Sequence, residues 1–308
     1  MQAVLPEILI AADPIAVLLV LIATGYAAFR LGILDRHTTH TLSVFLLNVS
    51  IPALIIVSMQ MPLSDELISG AVVFTLGLSV FYLFSVTIAY LARSALQMDA
   101  GRGGVFSFAI LFGNVGFMGF PISAALFGPE SIFYVAIANL AFYLLIFSAG
   151  IVMMTGKYEF NPRLLLNPGI IAACVGLTFF MLEIRIPSPL IDGMSILGGL
   201  TTPLAMVIIG SLLATFPVWD MLGDTNVFWA TVLRLFALPI GTFFLLSPLI
   251  SDPLLLGILV ILAGMPAGSM TAIFADIYRA DEQFASQLVF VSTLLSLITI
   301  PIIAAFLI

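Results

Sequence analysis

The chain has 308 residues, of which 62% are hydrophobic and 8% charged, with a formal net charge of −7 and a mean hydropathy of +1.26. Soluble domains average about 45–50% apolar and about 25% charged residues, so these few charges cannot cover a water-soluble globule, and the acidic balance offers nucleic acid no basic footprint. One cysteine, Cys174, and two histidines, His37 and His40, exclude a disulfide framework and a zinc site of several cysteines.

What remains is an all-α integral membrane protein, with the lipid bilayer as its solvent. A spanning helix needs ~20 mostly apolar residues. Charges mark the loops, and the runs between them predict ten helices, over 12–31, 39–61, 69–92, 104–127, 131–153, 165–183, 193–215, 226–248, 253–275 and 284–307. Apolar runs of this length do not fit the alternating segments of a membrane β-barrel. The first thirteen residues carry no Lys or Arg and do not read as a cleavable signal peptide.

Taken in chain order, helix 1 carries Gly25. Helix 2 carries Asn48 and Ser50 ahead of Ile51-Pro52. Helix 4 holds the richest stretch, Leu111-Phe-Gly-Asn-Val-Gly-Phe-Met-Gly-Phe-Pro-Ile-Ser123. Pro121 removes a backbone hydrogen bond and the glycines let another backbone approach, so a helix break is expected there. Asn139 and Tyr143 share a face of helix 5. Helix 6 carries Gly176, and helix 7 carries Thr201-Thr202-Pro203. Arg234 lies inside helix 8, about 12 Å from its start at 1.5 Å per residue. A charge at that depth is a functional candidate by default, and Asp276 near the end of helix 9 is its expected partner. Helix 9 carries Gly264-Met265-Pro266, followed by Gly268, Ser269 and Thr271.

Positions repeat between the halves. Gly25 and Gly176, like Pro52 and Pro203, are 151 residues apart, and Gly119-Phe120-Pro121 is echoed 145 residues later by Gly264-Met265-Pro266. Five helices per half is an odd number, so the halves 1–155 and 156–308 would enter the membrane from opposite sides. Inverted repeats with Gly- and Pro-interrupted helices point to a secondary transporter with its site near the midplane. Two broken helices, 4 and 9, crossing at their prolines would bring partial positive charge to an anion.

Short-loop Lys and Arg set the orientation. Arg30, Arg36, Arg93, Arg102, Lys157, Arg163 and Arg279 would lie inside, against Arg185 outside. Both termini would then be periplasmic in a bacterial inner membrane. No catalytic set is visible: no Ser-His-Asp group at membrane depth, no paired carboxylates and no phosphate-cradling Gly-Lys-Ser/Thr. An enzyme, a cofactor and a metal site are not expected.

At these residues the sequence resembles the auxin efflux carrier family of membrane transporters, whose bacterial members are associated with small carboxylates such as malate and malonate. The matching features are GNVGFMGFPI in helix 4, Phe142-Tyr143, Arg234-Leu-Phe, Gly264-Met-Pro-Ala-Gly and Phe274-Ala-Asp-Ile-Tyr278. The long central loop of many plant members is absent, since only Gly156 to Asn167 joins the halves. The resemblance implies a ten-helix fold like that of bile-acid transporters and NhaA. It implies a scaffold of helices 1, 2, 6 and 7 that also forms a homodimer, a moving domain of helices 3–5 and 8–10, and an elevator-like shift. It carries the substrate site onto Asn114, Pro121, Tyr143 and Pro266, with Ser269 beside them and Asn48 and Ser50 facing them. The first reading is a carrier of a small organic anion. The alternatives are a Na⁺- or H⁺-coupled symporter for a larger amphipath such as a bile-acid-like steroid, which scarce buried acids disfavour, and a channel, for which no charged or carbonyl ring is recognisable.

Overall fold

The computed structural model describes residues 4–157, 166–215 and 223–307, and side chains from residue 13 onward. Arg163 and residues 158–165 of the predicted connection between halves lie outside the described residues. Among the described residues everything regular is helical, apart from a single antiparallel bridge between Gly113 and Ala267. Seven stretches are long and apolar enough to cross a membrane: Asp13–Arg30, Arg36–Ser58, Asp65–Ala95, Ser131–Thr155, Leu190–Ala214, Thr225–Leu246 and Glu282–Leu307. They coincide with seven of the ten predicted helices. The other three predicted helices are short or broken.

The elements are α1 (Val4–Arg30), α2 (Arg36–Phe45), α3 (Ile51–Ser58), α4 (Asp65–Ala95), α5 (Ala100–Leu111), α6 (Phe120–Phe127), α7 (Ser131–Leu145) and α8 (Ile151–Thr155). They continue with α9 (Pro168–Met181), α10 (Leu190–Gly199), α11 (Thr201–Ala214), α12 (Thr225–Val232), α13 (Leu238–Leu246), α14 (Pro253–Ala263), α15 (Met270–Ile277) and α16 (Glu282–Leu307). Wide π turns at Leu46–Ser50, Val115–Gly119 and Leu233–Ala237 lead into α3, α6 and α13. Each of those helices has proline in its first turn, namely Pro52, Pro121 and Pro239. The physical reason is common to all three. Proline has no N–H to donate, and its ring crowds the carbonyl four residues back; widening the preceding turn moves that carbonyl aside.

The π turn corrects the expectation at Pro121. The chain does not break at this proline, which sits inside helical geometry. The break in the fourth predicted helix is at Phe112–Asn114, between the end of α5 and the π turn. In the ninth, the break does fall around Pro266, between α14 and α15.

The chain divides into two units, Met1–Val73 with Gly116–Ala141 and Pro162–Thr215, and Phe74–Val115 with Phe142–Asn161 and Phe216–Ile308. Helices 1, 2, 6 and 7 of the sequence reading fall in the first. Helices 8–10 fall in the second, and helices 3, 4 and 5 contribute to both.

Within the first unit, α1 packs along α11 and α3 along α9. The first pairing is a backbone-to-backbone contact. A Cβ on Gly25 would stand 2.0 Å from the carbonyl oxygen of Val207, and one on Gly210 would stand 1.9 Å from that of Ile22. Where lipid tails are as apolar as the side chains, such close packing and interhelical hydrogen bonds hold helices together. The hydroxyls of Thr39 and Ser211 add a 2.6 Å bond between α2 and α11. Asp35 caps α2 by accepting from the Thr38 N–H at 2.7 Å, and that bond holds its carboxyl below the usual carboxylate range.

Within the second unit, α5 and α14 form the core. Every residue of α5 from Gly103 to Leu111 is buried, as is every residue of α14 from Gly257 to Ala263. A helix apolar all round belongs on the inside. At one end of the unit Arg102 ties three helix starts together. Its Nη2 pairs with Asp224, its Nε lies 3.5 Å from Asp281, and its guanidinium stacks 4.2 Å from the centroid of Phe284. Asp99, Asp224 and Asp281 each accept from a backbone N–H at the start of α5, α12 and α16 respectively.

Candidate functional site: the crossing of two interrupted helices

An interrupted helix in hydrocarbon exposes N–H and C=O groups that must find partners. In the second unit, two interruptions meet and satisfy one another. The Asn114 N–H donates to the Pro266 carbonyl at 2.8 Å, and the Gly268 N–H donates to the Phe112 carbonyl at 2.9 Å. These two bonds flank the Gly113–Ala267 bridge, a fragment of antiparallel sheet inside a helical protein. The Ala267 N–H donates to Ser292 Oγ at 3.0 Å, and Ser292 in turn donates to the Leu288 carbonyl at 2.6 Å.

Arg234 completes the arrangement. It is 2% exposed. Its Nε donates to the Met265 carbonyl at 2.7 Å and its Nη1 to the Ile110 carbonyl at 2.6 Å. Both acceptors lie at helix C-terminal ends, of α14 and α5, where the backbone carries partial negative charge. Asp276, the expected partner, has an exposed side chain, and among the described residues the only ion pairs are those of Arg102. Two converging helix ends supply negative potential without the desolvation cost of a buried carboxylate. A bond to this guanidinium also satisfies carbonyls that the breaks set free.

Asn114 is 7% exposed and Pro266 is buried, both at the crossing. Ser269 precedes α15 and makes no side-chain cap. Thr271, in the first turn of α15, is fully buried, and its hydroxyl has no hydrogen-bond partner among the described residues. Tyr143 belongs to the same unit and is buried in a closed circuit of six rings. The circuit runs through Phe108, Phe112, Phe142, Tyr143, Phe147 and Phe274, with successive centroids 4.7 to 6.2 Å apart.

Asn48, Ser50 and Pro121 belong to the first unit. Asn48 is exposed and donates to the Val44 carbonyl of its own helix at 2.7 Å. Ser50 is buried and donates to the Leu197 carbonyl at 3.0 Å, joining the second predicted helix to α10. Pro121 is buried at the start of α6.

Ser292 and the ring circuit escaped the sequence reading. A lone serine in an apolar helix carries no signal of its own. The i, i+4 spacings Phe108/Phe112 and Tyr143/Phe147 do carry one, since such pairs share a helix face.

Interrupted helices of this kind recur in secondary transporters. The model of a family described as membrane transport protein matches residues 10–162 and 158–304. The chain belongs to this family of auxin-efflux-carrier-like membrane transporters. It is a transport protein and not an enzyme. An uncharacterized transporter of Methanothermobacter thermautotrophicus is 28% identical over 291 residues, covering 92% of this chain and 94% of the relative. A second uncharacterized transporter, from Methanocaldococcus jannaschii, is 25% identical over 308 residues, covering 94% of this chain and 96% of that one.

Proposed function

We propose that this transporter carries a small organic anion of the carboxylate class as a secondary transporter, by elevator-type alternating access. The observation that carries the reading is Thr271. A buried hydroxyl left unpaired costs about 1–3 kcal/mol, and a ligand oxygen is the partner that would recover it. Thr271 sits in the first turn of α15, where backbone N–H groups and the helix dipole favour a negative charge. Asn114 and Pro266 adjoin that turn through the crossing, and Ser269 and Tyr143 belong to the same unit.

The chain is read as ten spans in two inverted five-helix repeats, 1–155 and 156–308. The packing of the first unit supports this. Gly25 of helix 1 sits against helix 7, and its echo Gly176 of helix 6 sits against Met59 at the end of helix 2. Exchanging the halves maps one contact onto the other. The seven-to-one bias of loop Lys and Arg supports periplasmic termini in the inner membrane. Helices 1, 2, 6 and 7 are assigned as scaffold and homodimer surface.

Uptake into proteoliposomes with a panel of labelled small carboxylates tests the reading. Saturable uptake with counterflow is expected. Flux that does not saturate would make the protein a channel.

A further inference from the structure

The helix ends that meet at Arg234 form a kind of site that membrane transporters give to cations. Carbonyls of unwound backbone and of half-helix C-termini are the usual ligands of a coupling Na⁺. Here Ile110 and Met265 supply such carbonyls from two different interrupted helices. The guanidinium of Arg234 occupies the space between them. The seat is cut to fit it: a Cβ on Gly113 would stand 1.7 Å from Nη2 and 2.8 Å from Cζ. Among the described residues no group of acidic, His or Cys side chains gathers to hold a metal.

We infer that Arg234 is a resident cation, a covalently attached substitute for a monovalent metal ion at the crossing. The charge stays with the protein through the transport cycle. The crossing therefore needs no Na⁺ to hold its two C-terminal ends together. Arg234 acts as a positioning residue, setting where the Asn114 and Thr271 side of the crossing stands rather than touching the substrate. This goes beyond the anion-carrier reading and does not depend on it, because the crossing would need a cation whatever passes through it.

The test uses the full-length protein, purified in detergent, and reads its melting temperature in matched NaCl, choline chloride and guanidinium chloride at millimolar concentration. The wild type should melt at the same temperature in all three. Arg234→Met, which keeps length and removes charge, should melt several degrees lower. Guanidinium should restore part of that loss in the variant and leave the wild type unmoved. A merely space-filling role would give no such rescue. Arg234→Lys keeps the charge and should melt between the two. If Arg234→Met does not yield folded protein, rescue is sought by purifying it in guanidinium, and the wild-type comparison stands alone. Saturable stabilisation of the wild type by Na⁺ over choline would overturn the inference, as would an Arg234→Met protein as stable as the wild type or one indifferent to guanidinium. None of these readouts involves a carboxylate, so failure here and failure of the anion reading are separable.

Discussion

A methyl group on Gly113 would stand 1.7 Å from Nη2 of Arg234. The glycine and the arginine are 121 residues apart, and the guanidinium lies where a side chain at position 113 would begin. Gly113→Ala should therefore push the guanidinium off one of its two carbonyls. Overpacking of this kind costs about 1–3 kcal/mol, and a lost charged hydrogen bond adds about 1.5–3 kcal/mol. Thermal unfolding of the purified variant reads the sum. An unchanged melting temperature would mean that the crossing has slack.

Ser292 is the acceptor for the Ala267 N–H in the break of the ninth predicted helix. Ser292→Ala leaves that donor buried with no partner, at a cost of about 1–3 kcal/mol. Ser292→Thr keeps an oxygen and should cost less. Comparing the two by thermal unfolding separates the hydrogen bond from the packing.

Arg102 reaches two aspartates that each cap a helix start, Asp224 and Asp281. Its side chain is 31% exposed, so solvent weakens the pairs. Arg102→Ala should destabilise by about 1 kcal/mol, most visibly at low salt, because partly exposed pairs are screened. The stability difference between wild type and variant should shrink as salt is raised. A salt-independent difference would assign the effect to lost packing on Phe284.

Much of this architecture can be read in the sequence because hydrocarbon tolerates few charges. Asp65, Arg93, Asp99, Glu130 and Asp252 stand at helix ends, and the predicted boundaries follow them to within a few residues. The location of the helix 4 break was less legible. Pro121 attracts attention, yet a π turn absorbs its missing N–H, and the chain opens at Phe112–Asn114, where a second backbone is available to pair with it. That pairing involves residues more than 150 positions apart, which local propensity cannot reveal. Arg234 was legible as a buried charge but its partner was not. Sequence shows carboxylates such as Asp276 and does not show which carbonyls a fold leaves open. Ser50 stands out in the sequence as a polar residue within a span, but its bond to the Leu197 carbonyl depends on how helices pack.

If an anion meets the protein at Thr271 and Asn114, as proposed above, both side chains contribute to its affinity. The most direct measurement is carboxylate affinity on purified, monodisperse Thr271→Val, which keeps the shape of the side chain and removes its hydroxyl, beside Asn114→Ala and the wild type. A hydrogen bond to a charged group contributes about 1.5–3 kcal/mol, which corresponds to roughly a 10- to 100-fold loss of affinity. A loss of that size is expected in each variant, with melting temperature unchanged or raised in Thr271→Val, because the unpaired hydroxyl is gone. Wild-type affinity in both variants would contradict it and place the anion elsewhere.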